Sequence, residues 1–229
     1  MFILVLCLAA LFCLAPLAIY FLWLALVTRR SRPTVISGQW DFVGLAAGLS
    51  GFVLFGGGLV LSLVQSNFRY WMRGNFESLR AAWGQEKVTW ILFALLYVAL
   101  VVTWIAMGLA VRRRSLVVYN IDPTAFEATL SEIFEQLNRP VERHGNLWVG
   151  PAPLAEVDRF VAGRTVTLRW VGEDHRLFQE VERLLREAAR TIIPDENPAT
   201  RWLMACAVAA GASAASCFGL LAYALSLIK

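Results

Sequence analysis

The sequence predicts an α-helical integral membrane protein: four transmembrane helices with one small soluble α+β domain inserted between the third and the fourth. The 229-residue chain is 58% hydrophobic and 17% charged, whereas soluble domains average about 25% charged residues. Four windows contain no Asp, Glu, Lys or Arg, and each is long enough to cross a bilayer as a helix. The stretch between the third and fourth windows has ordinary polar composition with alternating and helical periodicities.

The first window, residues 1–28, starts without a basic segment and ends at a cluster of arginines. This order is typical of an uncleaved anchor, because a signal peptide carries its charges first. A basic loop over 29–41 leads to the second window, 42–64. That window is rich in glycine, and Gly44 and Gly48 form a GxxxG step that favours close helix packing. The glycines at 56–58 are interpreted as a break in this helix.

The connection over 65–88 has an apolar stripe at helical spacing, which predicts an amphipathic helix. Such a helix would lie in the lipid headgroup layer or pack on the rim of the bundle. The stripe consists of Phe68, Met72, Phe76, Leu79 and Trp83. The third transmembrane helix is expected at 89–111.

The soluble domain is expected at 112–200, in the order β-α-β-β-β-α with a mostly antiparallel sheet. Asp122 and Pro123 are typical of a helix start, and Gly145-Asn146 predicts a two-residue hairpin turn. A strand is expected near 156–162, with a turn at 162–163. The alternation over 165–171 predicts the next strand, and the last helix starts near Asp174. Its expected buried stripe is Leu177, Val181, Leu184, Leu185, Ala188 and Ile192.

The fourth transmembrane helix is expected at 202–228 and has small residues at every fourth position. These are Ala207, Gly211, Ala215 and Gly219. A small-xxx-small ridge lets a neighbouring helix pack tightly. The neighbour would be another helix of the same chain, a membrane-protein partner or a second copy of the chain.

Basic residues predict the orientation. Arg29, Arg30 and Arg32 follow the first window, and Arg112, Arg113 and Arg114 follow the third. Loops rich in arginine and lysine remain in the cytoplasm. The soluble domain is therefore expected in the cytoplasm and the amino terminus outside, in a multi-pass protein of the cell (inner) membrane.

The charge distribution argues against a nucleic-acid partner. Residues 112–200 hold 12 basic and 14 acidic residues, so the domain has a net charge of −2 and the rest of the chain +6. The basic excess therefore lies beside the predicted helices, where it fits lipid headgroups and the bilayer is the expected partner.

No catalytic, cofactor-binding or metal-binding residue is predicted. His144 and His175 are the two histidines, and both are interpreted as solvated surface residues. The leading hypothesis is an accessory or scaffold protein whose cytoplasmic domain binds a partner. The alternatives are a non-catalytic subunit or regulator of a transporter or channel, which the break at 56–58 would serve, and a membrane-bound enzyme.

Overall fold

The computed structural model describes residues 2–64 and 87–226. The predicted amphipathic helix therefore lies outside the described residues, except for positions 87 and 88. The chain forms two compact units. The helical unit consists of Met1–Tyr20, Leu45–Met107 and Cys206–Lys229, and the sheet unit consists of Phe21–Gly44 and Gly108–Ala205.

The described elements alternate long helices with a compact run of short strands and helices. In chain order they are α1 (Phe2–Thr28), β1 (Thr34–Ser37), α2 (Gly38–Val64), α3 (Lys87–Val111), β2 (Ser115–Tyr119), α4 (Pro123–Gln136), β3 (Glu142–His144), β4 (Leu147–Val149), β5 (Pro153–Phe160), β6 (Thr165–Trp170), α5 (His175–Ala188) and α6 (Ala199–Ser226).

Within the described residues, the four helices α1, α2, α3 and α6 are long and apolar enough to cross a membrane. Helix α2 begins at Gly38, four residues before the predicted start, and Asp41 lies in its first turn, where the helix dipole favours a carboxylate. It then continues without interruption to Val64. The interpretation of the glycines at 56–58 as a helix break is therefore wrong.

The strands form one six-stranded antiparallel sheet in the order β1-β2-β6-β5-β4-β3. An antiparallel sheet with two helices is thus confirmed. Strand β1 was not predicted: it lies in the loop expected at 29–41 and pairs with β2, with Val35 opposite Val118. The predicted domain at 112–200 therefore lacks one edge strand of its sheet.

Local signals in the sequence match most of the other elements. Strand β5 was expected near 156–162 but runs from Pro153 to Phe160. Asp122 caps α4 by accepting a hydrogen bond from the Thr124 amide, and Pro123 is the first helical residue. Gly145, at φ +66°, makes the turn between β3 and β4. The turn between β5 and β6 is a short 3₁₀ segment, Val161–Gly163, followed by Arg164 in the left-handed region.

The main core of the sheet unit lies between the sheet and the pair α4 and α5. Its largest fully buried side chains are Phe126, Phe134, Leu116, Ile121, Leu130, Leu168, Leu185, Val118, Val157, Val166 and Val181. The predicted stripe of α5 is partly wrong. Phe178 and Ala189 are buried, whereas Leu177, Leu184 and Ile192 are only partly buried. The buried face of α5 is therefore rotated from the predicted stripe toward Phe178. The centroids of the Phe178 and Trp170 rings are 5.8 Å apart.

A smaller apolar cluster covers the opposite face of β2. Val117 and Tyr119 pack there against the end of α1, with Val27 buried between them and Trp23 and Leu24 at the edge. The Tyr119 hydroxyl donates a hydrogen bond to the Asp41 carboxylate at the start of α2. Strand β2 is thus joined to both α1 and α2 within the sheet unit.

The helical unit, unlike the sheet unit, buries small residues and exposes large apolar ones. Small residues such as Cys7, Gly51 and Gly57 are buried, whereas Ile19 and Leu54 are 69% and 68% exposed. Gly51 lies against the backbone of α1, where an added Cβ would come within 2.0 Å of the Phe12 carbonyl oxygen. Backbone contact through glycine thus replaces a core of large side chains.

Candidate functional site

The predicted packing residues of α2 and α6 have different surroundings. A Cβ at Gly48 would meet the Tyr20 side chain at 2.8 Å, so this glycine makes room for an aromatic ring of α1. Gly44 is half-buried at the border of the sheet unit. In α6, Ala207 is buried and a Cβ at Gly211 would lie 3.9 Å from the Ala18 methyl group.

The predicted ridge of α6 does not continue as one packed face. Within the described residues, Ala215 is exposed and a Cβ at Gly219 would meet nothing within 4 Å, whereas Ala214 is buried. The buried face therefore turns from Ala207 to Ala214 rather than to Ala215. Whether Ala215 and Gly219 contact a partner stays a prediction.

The glycines at 56–58 also have a packing explanation. A Cβ on Gly57 would lie 2.3 Å from the Tyr97 ring, and the Tyr97 hydroxyl donates to the Val53 carbonyl. Gly57 thus lets α3 approach α2. The continuous helix removes the discontinuous-helix argument for a transport pathway.

The six arginines proposed to determine topology all belong to the sheet unit. Arg29, Arg30 and Arg32 follow α1, and Arg112, Arg113 and Arg114 follow α3. Arg112 lies over the Phe42 ring at 4.5 Å, and Arg114 donates to the Gly172 carbonyl over 3.3 Å. Both arginine clusters are therefore part of the same folded unit.

The arginine groove is a depression of about 500 Å³ between the segment after α1 and the end of α5. We define it by four guanidinium-bearing residues, Arg30, Arg32, Arg186 and Arg190. Buried Val35 and Ala189 also line it, and none of its lining residues in the described ranges is a carboxylate. Strand β1 forms one wall through Thr34 and Val35. The Val35 carbonyl accepts a 2.8 Å hydrogen bond from Arg186, which links this wall to α5.

A second cavity of about 400 Å³ shares Arg30 and Ser31 with the arginine groove. Its wall contains Asn120, which is 2% exposed and has a left-handed backbone with φ of 61°. The Asn120 amide donates to the Arg30 carbonyl over 2.7 Å. Its Oδ1 atom has no hydrogen-bond partner among the described residues. Asn120 thereby fixes the chain direction just after α1.

The apolar turn surface consists of Phe160, Val161 and Ile193, which are 64%, 69% and 88% exposed. Phe160 and Val161 lie at the turn between β5 and β6. Ile193 lies on the segment before α6, which is joined to that turn by two contacts. Asn197 donates to the Gly163 carbonyl over 2.9 Å, and Arg164 lies 3.5 Å from the Asp195 carboxylate.

The two histidines have local contacts. His144 lies 3.6 Å from Glu142 on the exposed strand β3. His175 begins α5, near the Phe178 ring and the Gln179 amide. The described residues contain no group of three or more His, Cys, Asp or Glu side chains suited to a metal ion.

The chain matches no protein-family model, no curated protein and no solved structure. Two surfaces described above were missed by sequence reasoning. The arginine groove combines residues far apart in sequence, because Arg186 and Arg190 meet Arg30 and Arg32 only after folding. The apolar turn surface had a weak signal in the adjacent Phe160 and Val161, but Ile193 reads as part of a linker.

Proposed function

We propose that this chain is a multi-pass protein of the cell membrane that acts as an accessory or scaffold component. Its sheet unit lies on the cytoplasmic side and its amino terminus outside. The apolar turn surface binds a partner protein. This partner contact, rather than catalysis by the chain itself, is its biochemical role.

Membrane embedding is supported by the reversed side-chain distribution of the helical unit. In water, large apolar side chains move to the interior, because their burial releases about 25 cal/mol per Å² of apolar surface. Lipid offers no such driving force, so membrane helices meet through small residues and turn large ones outward. Buried Gly51 and Gly57 and exposed Leu54 and Leu92 follow the membrane pattern.

The proposed orientation is supported by the residues at the helix ends of the sheet unit. Trp40 and Trp202, in the first turns of α2 and α6, are 71% and 76% exposed. Tryptophan is enriched where hydrocarbon meets the headgroups. The six arginines that follow α1 and α3, at 29, 30, 32 and 112–114, all belong to this same unit, and loops with clustered arginines favour the cytoplasm.

Partner binding is carried by one observation: the apolar turn surface. Between 112 and 200, the exposed large hydrophobic residues are Phe160, Val161, Val171 and Ile193. Three of these four lie on the turn and on the segment that it holds. Apolar residues that cluster on a polar domain mark interaction surfaces. By contrast, the edge strand β3 is fully exposed and carries Glu142 and Arg143, charges that deter strand pairing.

Site-specific photo-crosslinking in intact cells tests this proposal. A photoreactive phenylalanine analogue replaces Val161, and the same analogue replaces Glu142 as a matched control at the exposed edge strand. We expect a discrete protein adduct of defined mass from position 161 and none from position 142. A second substitution, Ile193→Asp, should reduce the yield of that adduct severalfold, because it places a charge on the contact.

Lipid adducts alone at position 161, or equal protein adducts from both positions, would contradict partner binding by this surface. Orientation is tested separately with Asn146→Cys in a chain whose four native cysteines are replaced by alanine. A membrane-impermeant maleimide should label this cysteine only after the membrane is permeabilised. Labelling of intact cells would place the sheet unit outside.

A further inference from the structure

The arginine groove concentrates positive charge on a unit that is otherwise slightly acidic. The sheet unit has 16 basic and 15 acidic residues, and without the four arginines of the groove it has 12 and 15. Among the described residues, these four arginines and no carboxylate line the depression. Guanidinium groups that share a groove repel one another, and the repulsion is relieved when an anion lies between them. The local charge is therefore not a reflection of the composition of the unit.

One of the four arginines is fixed by protein contacts. Arg186 pairs with Glu182 over 2.7 Å and donates to the Val35 carbonyl over 2.8 Å. Arg30, Arg32 and Arg190 are exposed and take part in no ion pair among the described residues. Three exposed arginines of the groove are thus available to bind a ligand, and Arg186 is held against strand β1.

Helix dipoles explain part of this arrangement. Arg186 and Arg190 lie at the carboxyl end of α5, and Arg30 follows the end of α1, where cations are favoured. This effect acts at each helix end separately. It does not account for the meeting of both helix ends in one groove without a lining carboxylate.

We propose that the arginine groove binds a phosphate group, with Arg30, Arg32 and Arg190 as its main donors. Planar guanidinium groups bind phosphate oxygens through paired, charge-assisted hydrogen bonds. The phosphate belongs either to an anionic phospholipid headgroup or to a soluble phosphate compound. The lipid source is favoured by position, because Arg30 and Arg32 lie two and four residues beyond Thr28, the last residue of a helix suited to crossing a membrane.

The test uses the full chain purified in a neutral detergent. Short-chain phosphatidylglycerol, short-chain phosphatidylcholine and inorganic pyrophosphate are titrated separately, and binding is followed by native mass spectrometry. The groove variant is Arg32→Gln with Arg190→Gln. The control variant is Arg139→Gln with Arg176→Gln, which makes the same change in charge at exposed arginines outside the groove.

We expect phosphatidylglycerol to bind more tightly than phosphatidylcholine, and the groove variant to bind it at least about tenfold more weakly than wild type. The control variant should stay within about twofold of wild type. Displacement of the lipid by pyrophosphate, or binding of pyrophosphate alone with the same sensitivity to the groove variant, supports a phosphate site with a soluble ligand.

Equal losses in the groove and control variants would show only general attraction to positive charge and would overturn the proposal. So would equal binding of both lipids together with no binding of pyrophosphate. The readout does not depend on partner binding at the apolar turn surface, so failure of either proposal is distinguishable from failure of the other. Thermal unfolding of each variant checks that the sheet unit remains folded, and Arg186 is left unchanged because it contacts β1.

Discussion

The sheet unit and the helical unit differ in which side chains they bury. The sheet unit encloses Phe126 and Phe134 completely. The helical unit instead encloses small residues, such as Gly51 and Ala214, and leaves Phe218 63% exposed. The first pattern is that of a protein core in water, and the second is that of helices in lipid. The two units thus bury side chains of different size, as the proposed membrane embedding of the helical unit would require.

The comparison predicts that truncating a phenylalanine lowers the free energy of unfolding much more in the sheet unit than in the helical unit. Phe126→Ala should lower the free energy of unfolding of the sheet unit by about 3–5 kcal/mol, because it leaves a cavity beside α4. Urea unfolding of the full chain in detergent, followed by amide hydrogen exchange in β2, measures this loss.

The matched change in the helical unit is Phe218→Ala. We expect it to alter the free energy of unfolding by less than about 1 kcal/mol in bicelles, since an exposed ring fills no interior space. A loss at Phe218 as large as the loss at Phe126 would break the distinction between the two units. It would also show that the outer face of α6 is covered.

Replacing a glycine of α2 with a larger residue should destabilise the helical unit at one position and leave it stable at another. Gly51→Ala places a methyl group against the α1 backbone at Phe12. We expect it to cost about 1–3 kcal/mol, as overpacking does elsewhere. Unfolding by SDS titration in bicelles measures the effect on the helical unit.

Gly56→Ala is the control in the same helix, where an added Cβ meets nothing within 4 Å among the described residues. Its only expected effect is a gain of up to about 1 kcal/mol from the higher helix propensity of alanine. Equal destabilisation by the two substitutions would mean that α1 and α2 do not approach at Gly51.

The smallest expected effect concerns Asp122, the helix cap of α4 in the sheet unit. Asp122→Ala should lower the free energy of unfolding by about 1 kcal/mol at pH 7. The hydrogen bond donated by the Thr124 hydroxyl holds the pKa of the Asp122 carboxyl below its ordinary value. The difference between wild type and variant should therefore be complete at neutral pH.

As the pH falls through this lowered pKa, the carboxylate becomes protonated and the difference should disappear. Chemical unfolding between pH 7 and pH 2 measures it. Thr124→Ala provides the control, because it removes the hydroxyl donor and leaves the hydrogen bond from the backbone amide. It should move the decline toward higher pH, and an unchanged profile would contradict the assigned cause.

Local chemistry allowed much of the sheet unit to be predicted. A capping aspartate followed by proline, and a Gly145-Asn146 turn between two short strands, each depend on residues next to one another. The alternation over 165–171 predicted strand β6 correctly, and its apolar residues Val166, Leu168 and Trp170 are all buried. The stripe of α5 was partly wrong because Leu177 and Leu184 each directly precede a buried residue, Phe178 and Leu185. The periodicity alone did not distinguish the two neighbouring lines, and the Phe178 ring packs against Trp170.

Features formed by distant residues could not be predicted in the same way. Strand β1 had a signal of its own in the β-branched residues Thr34, Val35 and Ile36 between Pro33 and Gly38. Its partner β2, however, lies beyond two long helices. Arg30 and Arg32 were predicted only as markers of orientation. Their shared groove with Arg186 and Arg190 follows from the packing of α5 beside β1. Orientation itself stays a prediction.

The pairing of β1 with β2 has a consequence for how the chain is made. In the proposed topology, Val35 leaves the ribosome before α2 and α3 have been synthesised, whereas Val118 follows them. Strand β1 stays unpaired until α2 and α3 have been synthesised and β2 has followed them. In that topology the sheet closes only if both ends of the α2–α3 segment lie on the same side of the membrane, so a chain in which they lie on opposite sides would leave the edge of β2 unpaired.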